Sequence, residues 1–306
     1  MSERGGNRAR GWSFVGTPLD CSGSDRGERR AVGALRDAGI VERLGATDGD
    51  DAAVVVDDPT RDPETGVIGF RQIRDASLEI RSSVGAVLER GERPLVVGGD
   101  CTILIGILAA VREKLGRVGL AFLDGHADFL DGRTSPSGEA ADMDLAVVTG
   151  YGAEGLEGLA GDVPMVEPGD VVVLGHREDG EVLAARKLGA PLREEDLVDE
   201  RIQLVEGKRI SRGDSSRLGA YVAERLAAQP GRFWVHFDVD VFDERELPAV
   251  TYPQPDGLDW QQTEALLRPL VSSPALVGLS VADFDPDKDP DGEYAQRLVA
   301  LLADML

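Results

Sequence analysis

At 306 residues with 42% apolar side chains, the chain is long enough to bury a large core, which excludes an intrinsically disordered polypeptide. A formal charge of −23 argues against nucleic acid and anionic membranes, both of which favour basic surfaces, and is compatible with a cationic small molecule. Two cysteines, Cys21 and Cys101, cannot build a disulfide framework, and the most apolar run, residues 103–111, is too short to cross a bilayer.

In chain order, residues 1–11 are polar, basic and glycine-rich with no apolar run behind them, so they read as a flexible tail and not a signal peptide; a reducing, cytoplasmic location follows by default. Short β-rich runs at 12–15, 52–56, 94–97, 118–123, 171–174, 233–237 and 276–280 then alternate with helical patterns at 28–38, 74–90, 102–114, 180–188, 215–228, 261–271 and 294–305. That alternation predicts an α/β fold, a three-layer sandwich with a central, mostly parallel sheet in a single domain over residues 12–306. Several strands are continuously apolar, as expected when both faces are covered. Two turn-rich, charged stretches, 131–139 and 190–212, read as long surface loops near a site.

In such sheets ligands collect at the carboxyl ends of strands, and three strand ends carry chemistry. They read Gly98-Gly99-Asp100-Cys101, Asp124-Gly125-His126-Ala127-Asp128, and His236-Phe237-Asp238-Val239-Asp240. In extended chain, residues two apart point the same way, so Asp124, His126 and Asp128 converge, as do Asp238 and Asp240. Four carboxylates facing one another repel strongly unless a cation lies between them, and a carboxylate-rich set with one imidazole suits manganese or a similar divalent ion. The number of ligands suggests two ions, roughly 3.5–4 Å apart, which can share a water and lower its pKa. Cys101 alone would read as a small buried apolar residue, but its place after Gly-Gly-Asp points to a ligand. Gly98 and Gly99 read as a tight turn, and Asp100 either orients a ligand or caps the helix at Thr102. By strand period His236 shares a face with Asp238 and Asp240; a core histidine, a partner behind a ligand and a pocket residue all fit that position. No Gly-x-Gly-x-x-Gly turn follows a strand, which argues against a dinucleotide-binding protein.

The order of these motifs resembles the arginase, agmatinase and formiminoglutamase family, whose second motif is Asp-x-His-x-Asp and whose third is Ser-x-Asp-x-Asp. The opening Gly16-Thr17-Pro18-Leu19-Asp20, the segment Asp256-Gly257-Leu258 and the final strand up to Asp283 extend the likeness over residues 12–306. The resemblance implies an arginase-like fold and a pair of divalent metal ions, with manganese the first expectation. Cys101, Asp124, Asp128 and Asp238 would hold one ion, and Asp124, His126, Asp238 and Asp240 the other. A water activated between them would attack the carbon of a linear guanidino or amidine compound. Asp283 stands where the family has Glu and would face the cationic group, with Glu178 and His236 as further substrate-binding candidates. The resemblance also implies a homo-oligomer.

Two departures narrow the reading. The first ligand is Cys101 where the family has His; a thiolate is softer, shifts the odds toward zinc or iron, and is shared with relatives acting on N-hydroxylated arginine. In Ser137-Gly138-Glu139-Ala140-Ala141-Asp142-Met143, Ala141 falls where the family has a proton-shuttling His. Asp142 or Glu139 can take that role if burial raises its pKa, so the catalytic candidates are His126, Asp128 and Asp142. Hydrolysis of arginine or an N-hydroxyarginine-like derivative is expected. A formiminoglutamate-type hydrolase and a metal-binding protein with little catalysis are the alternatives.

Overall fold

The computed structural model describes residues 11–152, 155–161, 163–177 and 199–306. Its strands are β1 (Trp12–Thr17), β2 (Thr47–Asp48), β3 (Arg93–Gly98), β4 (Gly119–Leu123), β5 (Val171–Leu174), β6 (Gln203–Val205), β7 (Phe233–Asp238) and β8 (Leu276–Ala282). They form one sheet in the order β2-β1-β3-β8-β7-β4-β5-β6, and every adjacent pair is parallel. The expected α/β sandwich is therefore present, with a sheet that is wholly parallel.

Both faces of the sheet are covered, because alternate residues of the same strand feed different cores. On one face Val96, Leu120, Phe122 and Trp234 pack with Ile73, Ile80 and Val84 of the Phe70–Glu89 helix and with the Ile103–Leu115 helix, whose first nine residues are all buried. On the other, Leu95, Val97, Leu123, Phe233, Val235 and Phe237 pack with Leu35, Val222, Leu226, Leu266, Leu270, Leu298 and Leu302, from the helices Ala31–Asp37, Ser215–Ala228, Trp260–Val271 and Glu293–Ala303. The Trp260–Val271 helix begins with a capping box, Asp259 accepting from the Gln262 N–H while Gln262 answers the Asp259 N–H. Within the core, a Cβ on Gly278 would lie 2.1 Å from the Trp234 ring that crosses β8.

Two expectations need correction. Residues 52–56 are not a strand, although Ala52, Val54 and Val56 are buried while Ala53 and Val55 are exposed. The period is that of a strand, but no neighbouring strand offers a ladder; the Ala52 N–H instead bonds the Gly16 carbonyl and the segment crosses the end of β1. The sheet edge is formed by β2, two exposed residues with no apolar signature. Within 190–212, the described part from Asp199 is not a loop throughout, since it holds β6 and the short helix Gly207–Ser211. The helix expected at 180–188 lies outside the described residues.

Strand order explains where chemistry collects. The chain lays down β1, β3 and β4, and only later inserts β7 and β8 between β3 and β4. The carboxyl ends of β3, β8, β7 and β4 thus stand side by side at the centre of the sheet, and these strands lead into Cys101, Asp283, Asp238 and Asp124.

Candidate metal centre

Each ligand candidate is placed by backbone that cannot easily shift. After β3 the chain turns at Gly99, where a Cβ would sit 1.5 Å from the Leu19 carbonyl oxygen, so only glycine lets the β1 and β3 loops touch. Asp100 then accepts the Thr102 N–H at 3.0 Å through one oxygen and the Cys21 N–H at 2.6 Å through the other. It stitches the two loops together and turns Cys101 inward; both cysteines are buried and free. After β4, Asp124 accepts the His126 N–H at 2.6 Å and Asp240 accepts the Gly125 N–H at 2.9 Å, which locks the β4 loop to the β7 loop. After β7, Asp238 caps the following turn by accepting the Asp240 N–H at 2.6 Å. Asp128 and Asp283 hold left-handed backbone, with φ of 45° and 64°, a conformation that Asp tolerates better than most residues and that clusters at functional sites.

These side chains converge. The Cys101 sulfur lies 2.6 Å from Asp238 Oδ2, 3.1 Å from His236 Nε2, 3.4 Å from Asp283 Oδ2 and 3.7 Å from Asp124 Oδ2. His126 Nδ1 stands 2.8 Å from Asp240 Oδ2 and 3.5 Å from Asp124 Oδ1, while Gln254 Nε2 meets its Nε2 at 3.2 Å. Among the described residues four sets bring ligand atoms within 4.8 Å of one another: Cys101, Asp124, His236 and Asp238; Asp124, His126 and Asp240; Cys101, Asp128 and Asp144; and Asp20, Glu28 and Asp100.

Charge is badly balanced in this space. Burial, then the neighbouring Asp240, pushes Asp124 up to about 6. Burial, then Asp240 and Asp283, raises Asp238 well above the usual carboxylate range. Burial, then Asp238, Asp283 and Asp124, raises the Cys101 thiol. Burial also opposes charge on His126, yet Asp240 and Asp124 hold its pKa well above an ordinary histidine's. Asp240 ionises more easily than usual despite burial because His126 and Arg177 flank it. A thiol and several buried carboxylates that face one another, with one imidazolium beside them, form a donor set that fits divalent cations.

The sequence candidates divide as follows. Cys101, Asp124, His126, Asp128, Asp238, Asp240 and Asp283 all meet around one cleft; all but Asp124 line it, together with Asp142. His236 does not line that cleft, contrary to a pocket role: it is fully buried behind Cys101, stacked on Phe122, with burial lowering its pKa to about 3. Its Nδ1 meets Ser280 Oγ at 2.8 Å, and that oxygen also accepts the Trp234 indole N–H at 3.0 Å. Cys101 and His236, which stand where the resemblance puts a His and a Ser, touch each other. Asp142 lies in the cleft wall, where its Oδ2 accepts from the hydroxyls of both Ser135 and Ser137. Glu139 accepts a bidentate pair from Arg26, at 2.6 and 2.7 Å, at the cleft wall. Glu178 lies outside the described residues.

Other site residues escape the sequence reading. Arg177 donates to the Asp240 carbonyl at 2.6 Å and to the Val241 and Phe242 carbonyls, clamping the β7 turn from beneath. Glu28, buried in the cleft wall, accepts from the Thr251 hydroxyl at 3.1 Å and is pushed up to about 8 by burial, then by Asp283 and Asp100. Asp144 is fully buried beside Cys101 and Asp128. None stands in a two-residue alternation after a strand, the pattern that marks the other ligand candidates.

A family model described as the arginase family matches residues 10–306. An arginase of Bacillus caldovelox is 27% identical over 301 residues, covering 96% of this chain and 97% of that protein. The solved structure of the arginase from that organism superposes with a TM-score of 0.84 at 26% identity, over 97% of this chain and 98% of the other. A formimidoylglutamase from Bacillus subtilis shares the fold, with a TM-score of 0.72 at 17% identity over 97% of this chain and 86% of its own.

Proposed function

The chain belongs to the arginase family, and from that premise we propose that it hydrolyses the guanidino group of an arginine derivative, N-hydroxyarginine being the best match to its cleft, with two divalent ions held by Cys101, Asp124, His126, Asp128, Asp238 and Asp240. It is a hydrolase acting on a C–N bond of an amidino compound. The observation that carries the finer reading is the pair of departures at Cys101 and Ala141. The cleft has a sulfur where the family has an imidazole, and a methyl group where it has a proton shuttle.

When bound, the metal pair, manganese in the simplest case, supplies Lewis-acid activation of a water molecule for attack on the guanidino carbon. The protein's part begins with the donor set. When Cys101 acts as a thiolate, His236 holds a proton on Nε2 and donates it toward the sulfur at 3.1 Å. The tautomer is set from behind: Ser280 accepts the Trp234 indole N–H and turns its own hydroxyl proton to His236 Nδ1. Asp240 orients His126, and Arg177 fixes the Asp240 backbone. Asp283 faces the cationic end of the substrate from the cleft wall, with the Glu28 carboxyl beside it as a hydrogen-bonding group. The leaving amine must gain a proton as the C–N bond breaks. Two serine hydroxyls already occupy the Asp142 Oδ2, and the Ala141 methyl group carries no proton to give. An N-hydroxyguanidine brings an ionisable O–H on the reacting group itself, so it depends less on an enzyme acid.

The test is turnover of the metal-loaded protein with arginine, agmatine, guanidinobutyrate, N-hydroxyarginine and formiminoglutamate. Release of hydroxyurea and amine from N-hydroxyarginine, with kcat/KM well above that for arginine, is expected. Preferential turnover of formiminoglutamate, or faster urea release from arginine, overturns the assignment.

A further inference from the structure

Asp144 is the most poorly matched ionisable group among the described residues. It is 0% exposed, and neither carboxylate oxygen makes a hydrogen bond of ordinary geometry with any described group. It begins the short helix Asp144–Val148, every residue of which is buried, and the Ala146 N–H is tied to the Asp128 carbonyl at 3.2 Å. Its chain neighbours Met143 and Leu145 are buried as well, at 1% and 0% exposed. One of its oxygens lies within 4.8 Å of both the Cys101 sulfur and an Asp128 oxygen.

A buried carboxylate without partners costs several kcal/mol as an anion. Protonation alone leaves both oxygens without a donor, because neither has a hydrogen-bond partner in the structure. A cation satisfies both oxygens at once. Resting on the metal-centre reading above, we propose that Asp144 is a further ligand of the ion on the Cys101 side, completing a Cys101–Asp128–Asp144 face that compensates for a thiolate at a position where a larger imidazole would otherwise reach. The extra anionic oxygen makes that ion's site harder and its grip tighter than a sulfur ligand alone would, which favours manganese or cobalt over a softer four-coordinate choice.

The experiment uses the full chain, stripped with a chelator and titrated with Co²⁺. The sulfur-to-cobalt charge-transfer band reports the ion at Cys101. In Asp144→Asn and Asp144→Ala, the midpoint of that band is expected to move to about tenfold or more higher Co²⁺. The visible d–d bands are expected to intensify in Asp144→Ala as the coordination number falls. The metal-free melting temperature of Asp144→Asn is expected to match or exceed that of the parent, because a buried charge has gone. An unchanged cobalt midpoint and spectrum in both variants overturns the proposal, as does a lower metal-free melting temperature with an unchanged midpoint, which marks a structural aspartate. If the parent chain takes up no cobalt, the metal-centre reading falls with it; if the parent shows the band and the variants match it, only the role of Asp144 falls.

Discussion

Replacing Asp238 with asparagine should move stability in opposite directions with and without metal. In the metal-free chain Asp238 is a buried carboxylate whose nearest neighbours are the Cys101 sulfur, Asp283, Asp240 and Asp124, all anionic or acidic. Asparagine keeps the backbone geometry, because its carbonyl oxygen can still accept the Asp240 N–H that Asp238 accepts at 2.6 Å. Its amide can donate to the Cys101 sulfur. The substitution thus removes a desolvated charge while retaining the cap, a gain of about 2 to 4 kcal/mol. For a chain of this size that is about 3 to 6 °C in Tm. With metal the sign reverses: saturating each site at about 100 times its Kd stabilises the parent by about 2.7 kcal/mol, and a bridging ligand affects both sites. The parent should therefore gain roughly 5 kcal/mol, or about 8 °C, from manganese, and Asp238→Asn should gain almost nothing. Thermal melts of both proteins in chelator and in excess Mn²⁺ read all four states. A lower Tm for the variant in chelator, together with an undiminished metal-induced rise, would refute the reasoning and mark Asp238 as an ordinary structural carboxylate.

Other outcomes follow from the same geometry. His236→Gln should raise the pH at which metal loads onto the Cys101 side by about one unit, since the thiolate loses a charge-assisted hydrogen bond; pH-dependent Co²⁺ titration at the thiolate band checks it. Glu28 keeps its proton up to about 8 in the fold, against an ordinary value of 4.5. The unfolded chain therefore binds fewer protons across that window. The stability Glu28 contributes is present below pH 4.5 and lost as pH rises toward 8, so Glu28→Gln should flatten the decline in metal-free denaturant melts between those limits. Arg26→Ala leaves Glu139 buried without its bidentate partner. A several-fold rise in KM with little change in kcat is expected, because the residue acts at the cleft wall and not on the reacting carbon; steady-state kinetics separates the two.

Much of the architecture is legible because strand chemistry has a short period. Continuous apolar runs such as 94–97 and 171–174 announce strands buried on both faces, and the sheet is parallel throughout. Asp124, His126 and Asp128 can be read together for the same reason, although the residues after β4 and β7 leave extended geometry and converge through turns that Asp124 and Asp238 themselves cap. The failures have physical causes too. Residues 52–56 carry a strand's alternation, but pairing depends on a neighbour that no local pattern reveals. His236 shares the parity of Asp238, yet parity cannot tell the cleft from the space beneath Cys101, a matter of depth along the strand. Asp144, Glu28 and Arg177 reach the site from a short helix, a distant turn and a neighbouring loop, so only tertiary packing brings them in.

The central claim is that these acids and Cys101 are assembled around cations. The most direct test is metal content of the reconstituted, desalted chain by mass spectrometry, beside the same measurement on Asp238→Asn. About two divalent ions per parent chain, with a loss of most of that metal in the variant, is the predicted result. A parent chain that retains no stoichiometric metal yet hydrolyses its substrate in chelator would contradict it.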